Sequence, residues 1–339
     1  MASDPSTFVR QYTDPQAEAR ACRSECALFD FSFVARARVA GADAVAAISQ
    51  LTRRPLDDLR PGRIAYAVRE DERGHLVSDL TIWRHGDWYE VMSGRAEDIS
   101  ELVSRAHRTC SAQDLSADHA IFAVQGPRSL HVLAELADTE EIANLAYFSF
   151  TEVRVADVPC LVGRLGYTGE QGFEILLPRA AAEQVWGELA RRAPPAGFAA
   201  VDILRIEAGF VLFANEFRVA ATAAEAGLWR FSGTRPGQAE PAITLVSFRA
   251  EARTQPVLWS PDASVQRPLP GTLTITSACH SPIANGILGL GFAVKSDLDA
   301  GVRLHDANGQ FTDIEIVPLP FFDGQKRRPR GRWKSVHRL

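Results

Sequence analysis

The stretch L-G-Y-T-G-E-Q-G-F-E-I, Leu165 to Ile175, reads as a turn between two strands. Gly169 and Gly172 lie three apart among polar Thr168, Glu170 and Gln171, and glycine adopts backbone angles that a β-carbon forbids. Tyr167 is carried on one side of the turn and Glu174 on the other. On spacing alone this is a β-hairpin tip. Strand-like runs around Val153 and Cys160 lead into it, and Ala182, Val185, Trp186 and Leu189 mark an amphipathic helix after it, stopping before Pro194-Pro195.

At 339 residues the chain is too long for one compact core and suits two or three domains. Its 46% hydrophobic and 23% charged residues are those of an ordinary globular protein, and a net charge of -5 supplies no basic field to draw it to nucleic acid. No apolar run approaches the roughly 20 residues of a membrane helix. The opening M-A-S-D-P-S-T-F-V-R has neither an apolar signal core nor a transit-peptide pattern, so a cytoplasmic protein is expected. The five cysteines are scattered and expected to be reduced and buried. Cys22 and Cys26 share a helix face but lack further ligands at metal-binding spacing, so no metal site is expected.

Upstream, Asp14-Pro15 is a helix start, a capping side chain before a proline in the first turn. Val45, Ile48 and Leu51 give a short helix, Arg53 to Gly62 a charged, proline-bearing loop, and Tyr66 opens a hairpin. Its second strand, His75 to Trp83, places Leu76, Ser78, Leu80 and Ile82 on one face and Val77, Asp79, Thr81 and Trp83 on the other. Asp79 is thus a lone carboxylate on a largely apolar face, explained either by pairing with Arg69 or Arg84 or by a functional role. Ile99, Leu102, Val103 and Ala106 mark a helix, and Ala120 to Pro127 a strand whose Gln125 could reach a ligand or serve a turn. A further helix spans Gly197 to Gly209, in which Arg205 could pair with Asp202 or Glu207. Ser232 to Pro241 has a linker's composition, and the chain beyond Ile243 is all strand and turn. The basic end from Lys326 to Leu339 is expected to be solvated and frayed, with an anionic partner as the other reading.

The Leu165–Ile175 stretch resembles the Y-[TV]-G-E-x-G-[FY]-E signature of the glycine-cleavage T-protein (aminomethyltransferase) family. Three further runs resemble family landmarks in the same order: G-H-L-V-S-D-L-T (Gly74 to Thr81), A-I-F-A-V-Q-G-P (Ala120 to Pro127) and G-F-A-A-V-D-I-L-R-I-E-A-G (Gly197 to Gly209). The resemblance implies an α+β fold: two interwoven α+β folate-binding modules over 1–232, a linker at 233–242, and a small C-terminal β-barrel domain with a basic tail over 243–339. It implies tetrahydrofolate, or its 5,10-methylene or 5-methyl form, as cofactor. Glu174 and Tyr167 would line the pterin pocket with Tyr66, Arg205 and Gln125 as further folate contacts, and Asp79 would be the catalytic acid.

The implied activity is transfer of a methyl, methylene or aminomethyl carbon between a small methylated, aminomethyl or iminium substrate and the folate N5/N10 edge, with no metal. A carrier protein or a flavin dehydrogenase is an implied partner, and neither nucleic acid nor membrane is. Val201 stands where the family has a folate-holding arginine and Ala223 where it has a proline, and the S-D spelling at Ser78-Asp79 looks more like the folate modules of dimethylglycine and sarcosine dehydrogenases, which suits a specialised member more than the housekeeping T-protein. The alternative from another class is a non-catalytic folate-binding regulatory or assembly protein, or a folate-binding partner subunit of a flavin demethylating dehydrogenase.

Overall fold

A computed structural model describes residues 8–233, 240–252, 258–259, 265–331 and 333. The α+β expectation holds: helices pack around three sheets. The first sheet has strand order Ala27–Asp30, His119–Gln125, Gly172–Pro178, Val158–Gly163, Phe150–Val155. The second runs Arg63–Glu70, Leu76–Arg84, Trp88–Ser93, Ala35–Ala40, Ser111–Asp114. Interweaving is literal, because the chain enters the first sheet at Ala27–Asp30, builds the whole second sheet, and only then returns at His119–Gln125. The third, barrel-like sheet is C-terminal and centres on the long strands Ile243–Ala252, Thr272–Ser281 and Gly286–Val294.

Local sequence explains the elements that position the site. Asp14 accepts from the Ala17 amide at 2.8 Å and Pro15 follows it, starting helix Pro15–Ser24 as expected. Strand Leu76–Arg84 alternates as read: Leu76, Ser78, Leu80 and Ile82 are buried, while Asp79 and Thr81 are less so. The two sheets are stitched at one joint, where the Ile64 amide donates to the Phe148 carbonyl at 3.0 Å and the Phe150 amide to Gly62 at 3.0 Å. Phe148 holds φ at 59° there, and a bulky side chain in the left-handed region costs about 1–3 kcal/mol.

Two expectations change. Gly169 and Gly172 do not cap a tight hairpin; strands Val158–Gly163 and Gly172–Pro178 are joined by a longer loop, 164–171. The Gln125 side chain fills the base of that loop, so a β-carbon on Gly166 would fall 1.9 Å and one on Gly172 2.4 Å from it. The basic end is also not frayed over its described residues. Arg23 lies 3.7 Å and Arg328 4.9 Å from the Phe322 ring centroid, both bond Glu170, and Trp333 stacks on Phe173 at 5.1 Å. The described part of that stretch, 326–331 and 333, is a strap over loop 164–171. Most of the expected linker, 234–239, lies outside the described residues.

Helix Phe198–Glu207 joins these parts, and every residue from Ala199 to Glu207 in it is buried. Its Arg205 is wholly buried, with Nε donating to Asp202 at 2.6 Å, Nη1 to Glu216 at 2.9 Å and Nη2 to the Ser277 hydroxyl of the third sheet at 2.6 Å. Breaking a buried ion pair strands an uncompensated charge, at a cost of about 3–5 kcal/mol. Arg205→Met is expected to lower unfolding free energy by about that amount in chemical denaturation. A change below about 1 kcal/mol, the range of exposed pairs, would show that the guanidinium does not hold the sheets together.

Candidate active site

Asp79 and Tyr66 face each other across neighbouring strands on one face of the second sheet, with Tyr66 opposite Thr81 and Val68 opposite Asp79. The Tyr66 hydroxyl donates to Asp79 Oδ2 at 3.0 Å. Neither arginine proposed as a structural partner reaches Asp79. Arg69 bonds Asp98 at 2.8 Å and Glu101 at 2.6 Å, and Arg84 turns to the Leu59 carbonyl. Burial raises the Asp79 carboxyl to about 6 against the lowering effect of the Tyr66 hydrogen bond, and the nearby Asp98 charge adds to the rise. Asp98 is itself fully buried and accepts from Ser78 at 2.6 Å and Ser93 at 2.7 Å.

Further aromatic and charged side chains surround this pair and Glu174. Tyr66 and Tyr167 pack against one core, and burial pushes both phenols well above the usual tyrosine value. Tyr167 stacks on Phe210 with centroids 6.0 Å apart and donates its hydroxyl to the Val211 carbonyl. Lys326 sits 4.7 Å from the Phe210 centroid, its pKa lowered by burial and by Arg330. Tyr147, raised to about 12 by burial, senses both Arg330 and Glu174.

Glu174 is half-buried on strand Gly172–Pro178, opposite Gly163 and Ala123. No hydrogen bond or ion pair reaches its carboxylate among the described residues, and burial alone raises it to about 7. The carboxylate is thus half-buried and open to a hydrogen-bond donor.

The six residues expected at the site therefore divide. Tyr66 bonds Asp79 and packs on the same core as Tyr167, whereas Glu174 lies on the first sheet near Tyr147. Arg205 is wholly buried with each nitrogen engaged, so it has no face to offer a ligand. Gln125 is equally buried, donating to Leu165 O at 3.1 Å and accepting from Thr168 Oγ1 at 3.0 Å; it holds the loop instead. Tyr147, Phe210 and Lys326 were not found in the sequence, since each lies on a connection without periodicity. Asn215 and Glu225 serve structure, bonding Ser277 at 2.9 Å and Arg267 respectively. A shallow depression lined by Tyr12, Phe31, Phe198 and Val201 contains none of Asp79, Tyr66, Tyr167 and Glu174. Among the described residues no cluster of His, Cys, Asp and Glu could hold a metal, and no helix is long and apolar enough to cross a membrane.

This is the architecture of a one-carbon-group transferase of mixed α+β fold. A family model described as the GCVT N-terminal domain matches residues 4–235. The aminomethyltransferase of Rubrobacter xylanophilus is 31% identical over 95% of this chain and 90% of its own, and that of Saccharopolyspora erythraea 29% over 92% and 91%. The glycine cleavage system aminomethyltransferase T of Bartonella henselae superposes with a TM-score of 0.71 at 23% identity, over 94% of this chain and 91% of that one. The chain belongs to the glycine-cleavage T-protein (aminomethyltransferase) family and is an enzyme of one-carbon transfer.

The Glu174 shift fixes a pH dependence. Its carboxyl is raised in the fold, so the stability it contributes is complete below the ordinary glutamate value near 4.5 and is lost as pH rises through about 7. Glu174→Gln is expected to flatten melting temperature across that window and to be the more stable protein at pH 8, by on the order of 1–3 kcal/mol. Equal melting of the two proteins at pH 8 would mean that the carboxylate is not desolvated.

Proposed function

We propose that this enzyme moves a one-carbon unit between a small methylated, aminomethyl or iminium substrate and tetrahydrofolate. The observation that carries the reading is Glu174, a half-buried carboxylate without a partner among the described residues, together with the Tyr66–Asp79 pair on the second sheet. It fits the cofactor, because the 2-amino-4-oxo edge of a pterin presents two parallel N–H donors, the fork a carboxylate accepts. When bound, the folate supplies amine lone pairs at N5 and N10 that accept or release the one-carbon unit.

Glu174 accepts the N–H donors and sets the orientation of the ring. Tyr167 and Phe210, stacked on one another, form an apolar wall beside it. Asp79 faces the amine edge. With its carboxyl at about 6 it is mostly ionised at neutral pH yet basic enough to take the proton that leaves the amine, and its charge stabilises positive charge developing on the transferred group. Tyr66 fixes which carboxylate oxygen remains free, by occupying Oδ2.

Val201 supports a specialised member: it is an apolar residue 1% exposed, and Arg205, the nearest cation on its helix, is committed elsewhere and replaces no folate contact. Low or absent glycine cleavage with the lipoyl carrier protein is therefore expected in a reconstituted assay, and efficient cleavage would refute the specialisation. The roles themselves separate by mutation. Asp79→Asn is expected to abolish turnover with tetrahydrofolate affinity kept within a fewfold, whereas Glu174→Ala weakens calorimetric tetrahydrofolate binding about tenfold, or roughly 1.4 kcal/mol. Equal loss of affinity in both variants would remove the division of labour.

A further inference from the structure

Arg54 is a half-buried guanidinium beside Tyr66, on the loop that leads into strand Arg63–Glu70. That strand is the edge of the second sheet. The Arg54 Nη1 group caps the exposed edge by donating to the Tyr66 carbonyl. Its guanidinium carbon lies 5.6 Å from the Phe231 centroid, and Phe231 in turn packs edge-on against Tyr66 at 5.1 Å and 88°. Burial lowers its pKa, and no carboxylate pairs with it among the described residues. The adjacent Arg53 is exposed and acts on Glu70, so that acid is already answered.

An arginine held by one backbone acceptor and one aromatic face has nitrogens left over, and the geometry of the leftover fork suits a carboxylate. Resting on the folate reading above, we propose that Arg54 recognises a carboxylate of the bound reactants, beyond the reacting centre at Asp79. With the pterin read at Glu174 and its amine edge at Asp79, what continues past Tyr66 is either the p-aminobenzoyl-glutamate arm of the folate or the far end of the one-carbon donor. Both can carry the carboxylate. Arg54 is not among the groups that perturb Asp79, so it is a specificity-determining charge at a distance and not a modulator of the proton acceptor.

Calorimetric titration of tetrahydrofolate and of 6-methyltetrahydropterin, which lacks the glutamate arm, into wild type, Arg54→Gln and Arg54→Lys separates the cases. A tenfold or greater loss of tetrahydrofolate affinity in Arg54→Gln, with tetrahydropterin unchanged and partial recovery in Arg54→Lys, assigns the folate glutamate. Unchanged folate affinity with a tenfold rise in KM for a carboxylate donor such as N,N-dimethylglycine, at constant kcat, and none for its amide assigns the donor. No change in either arm overturns the proposal. So does an equal loss for tetrahydropterin, which marks a merely structural arginine, and a lowered melting temperature in Arg54→Gln restored in Arg54→Lys without recovery of affinity counts the same way. Wild type that binds neither pterin instead overturns the folate reading, and the proposal falls with it.

Discussion

The wholly buried guanidinium of Arg205 is the constraint on which the rest depends. Arginine does not shed its proton to escape burial, and a desolvated ion costs several kcal/mol unless its geometry is fully met. Here Asp202 supplies one counter-charge from the same helix and Glu216 another from the turn beyond it. Glu216 then accepts from the Leu212 amide at 2.6 Å and from Thr276 at 2.9 Å on the third sheet. A charge that must be satisfied by groups from three parts of the chain leaves those parts one arrangement.

That arrangement reaches the site through the segment after the helix. Arg205 Nη1 also donates to the Phe210 carbonyl at 3.3 Å, and the next residue, Val211, takes the hydroxyl of Tyr167. Gln125 does the same from below loop 164–171. Arg205 and Gln125, both expected as ligand contacts, are thus buried and bonded to the segments that carry Tyr167. Motif positions report that a side chain is required near a site; only burial tells whether it faces the ligand or the residue that does.

Fold and site were legible to different depths for the same physical reason. Alternation from Leu76 to Trp83 is a local signal with the period of a strand, so the orientation of Asp79 followed from sequence. Helix Pro15–Ser24 announced itself through Asp14 and Pro15. The strap was illegible because what binds it is remote: Arg23 and Arg328 meet at one phenylalanine and one glutamate, with Arg23 147 residues from Glu170 in sequence. A run as basic as the one that begins at Lys326 looks solvated until the Glu170 partner of Arg328 is placed. Tyr147 had no signal at all. It precedes a residue whose φ of 59° no local pattern encodes.

Strain at Phe148 and the unpartnered charge at Glu174 are two costs borne in the same corner, and a common cause accounts for both. Asp79 and Glu174 lie on different sheets, so their separation is set where those sheets meet. The meeting is the joint of Ile64, Phe148 and Phe150, with the Phe148 amide also bonded to Arg164 at 2.9 Å. A relaxed backbone at Phe148 would release those bonds and let the sheets drift. A hydrogen-bonded Glu174 would gain stability and lose its capacity to accept from a ligand. Each group is held in its costlier state by packing that both sheets share, as expected where the folded chain fixes a distance between two carboxylates rather than its own lowest energy.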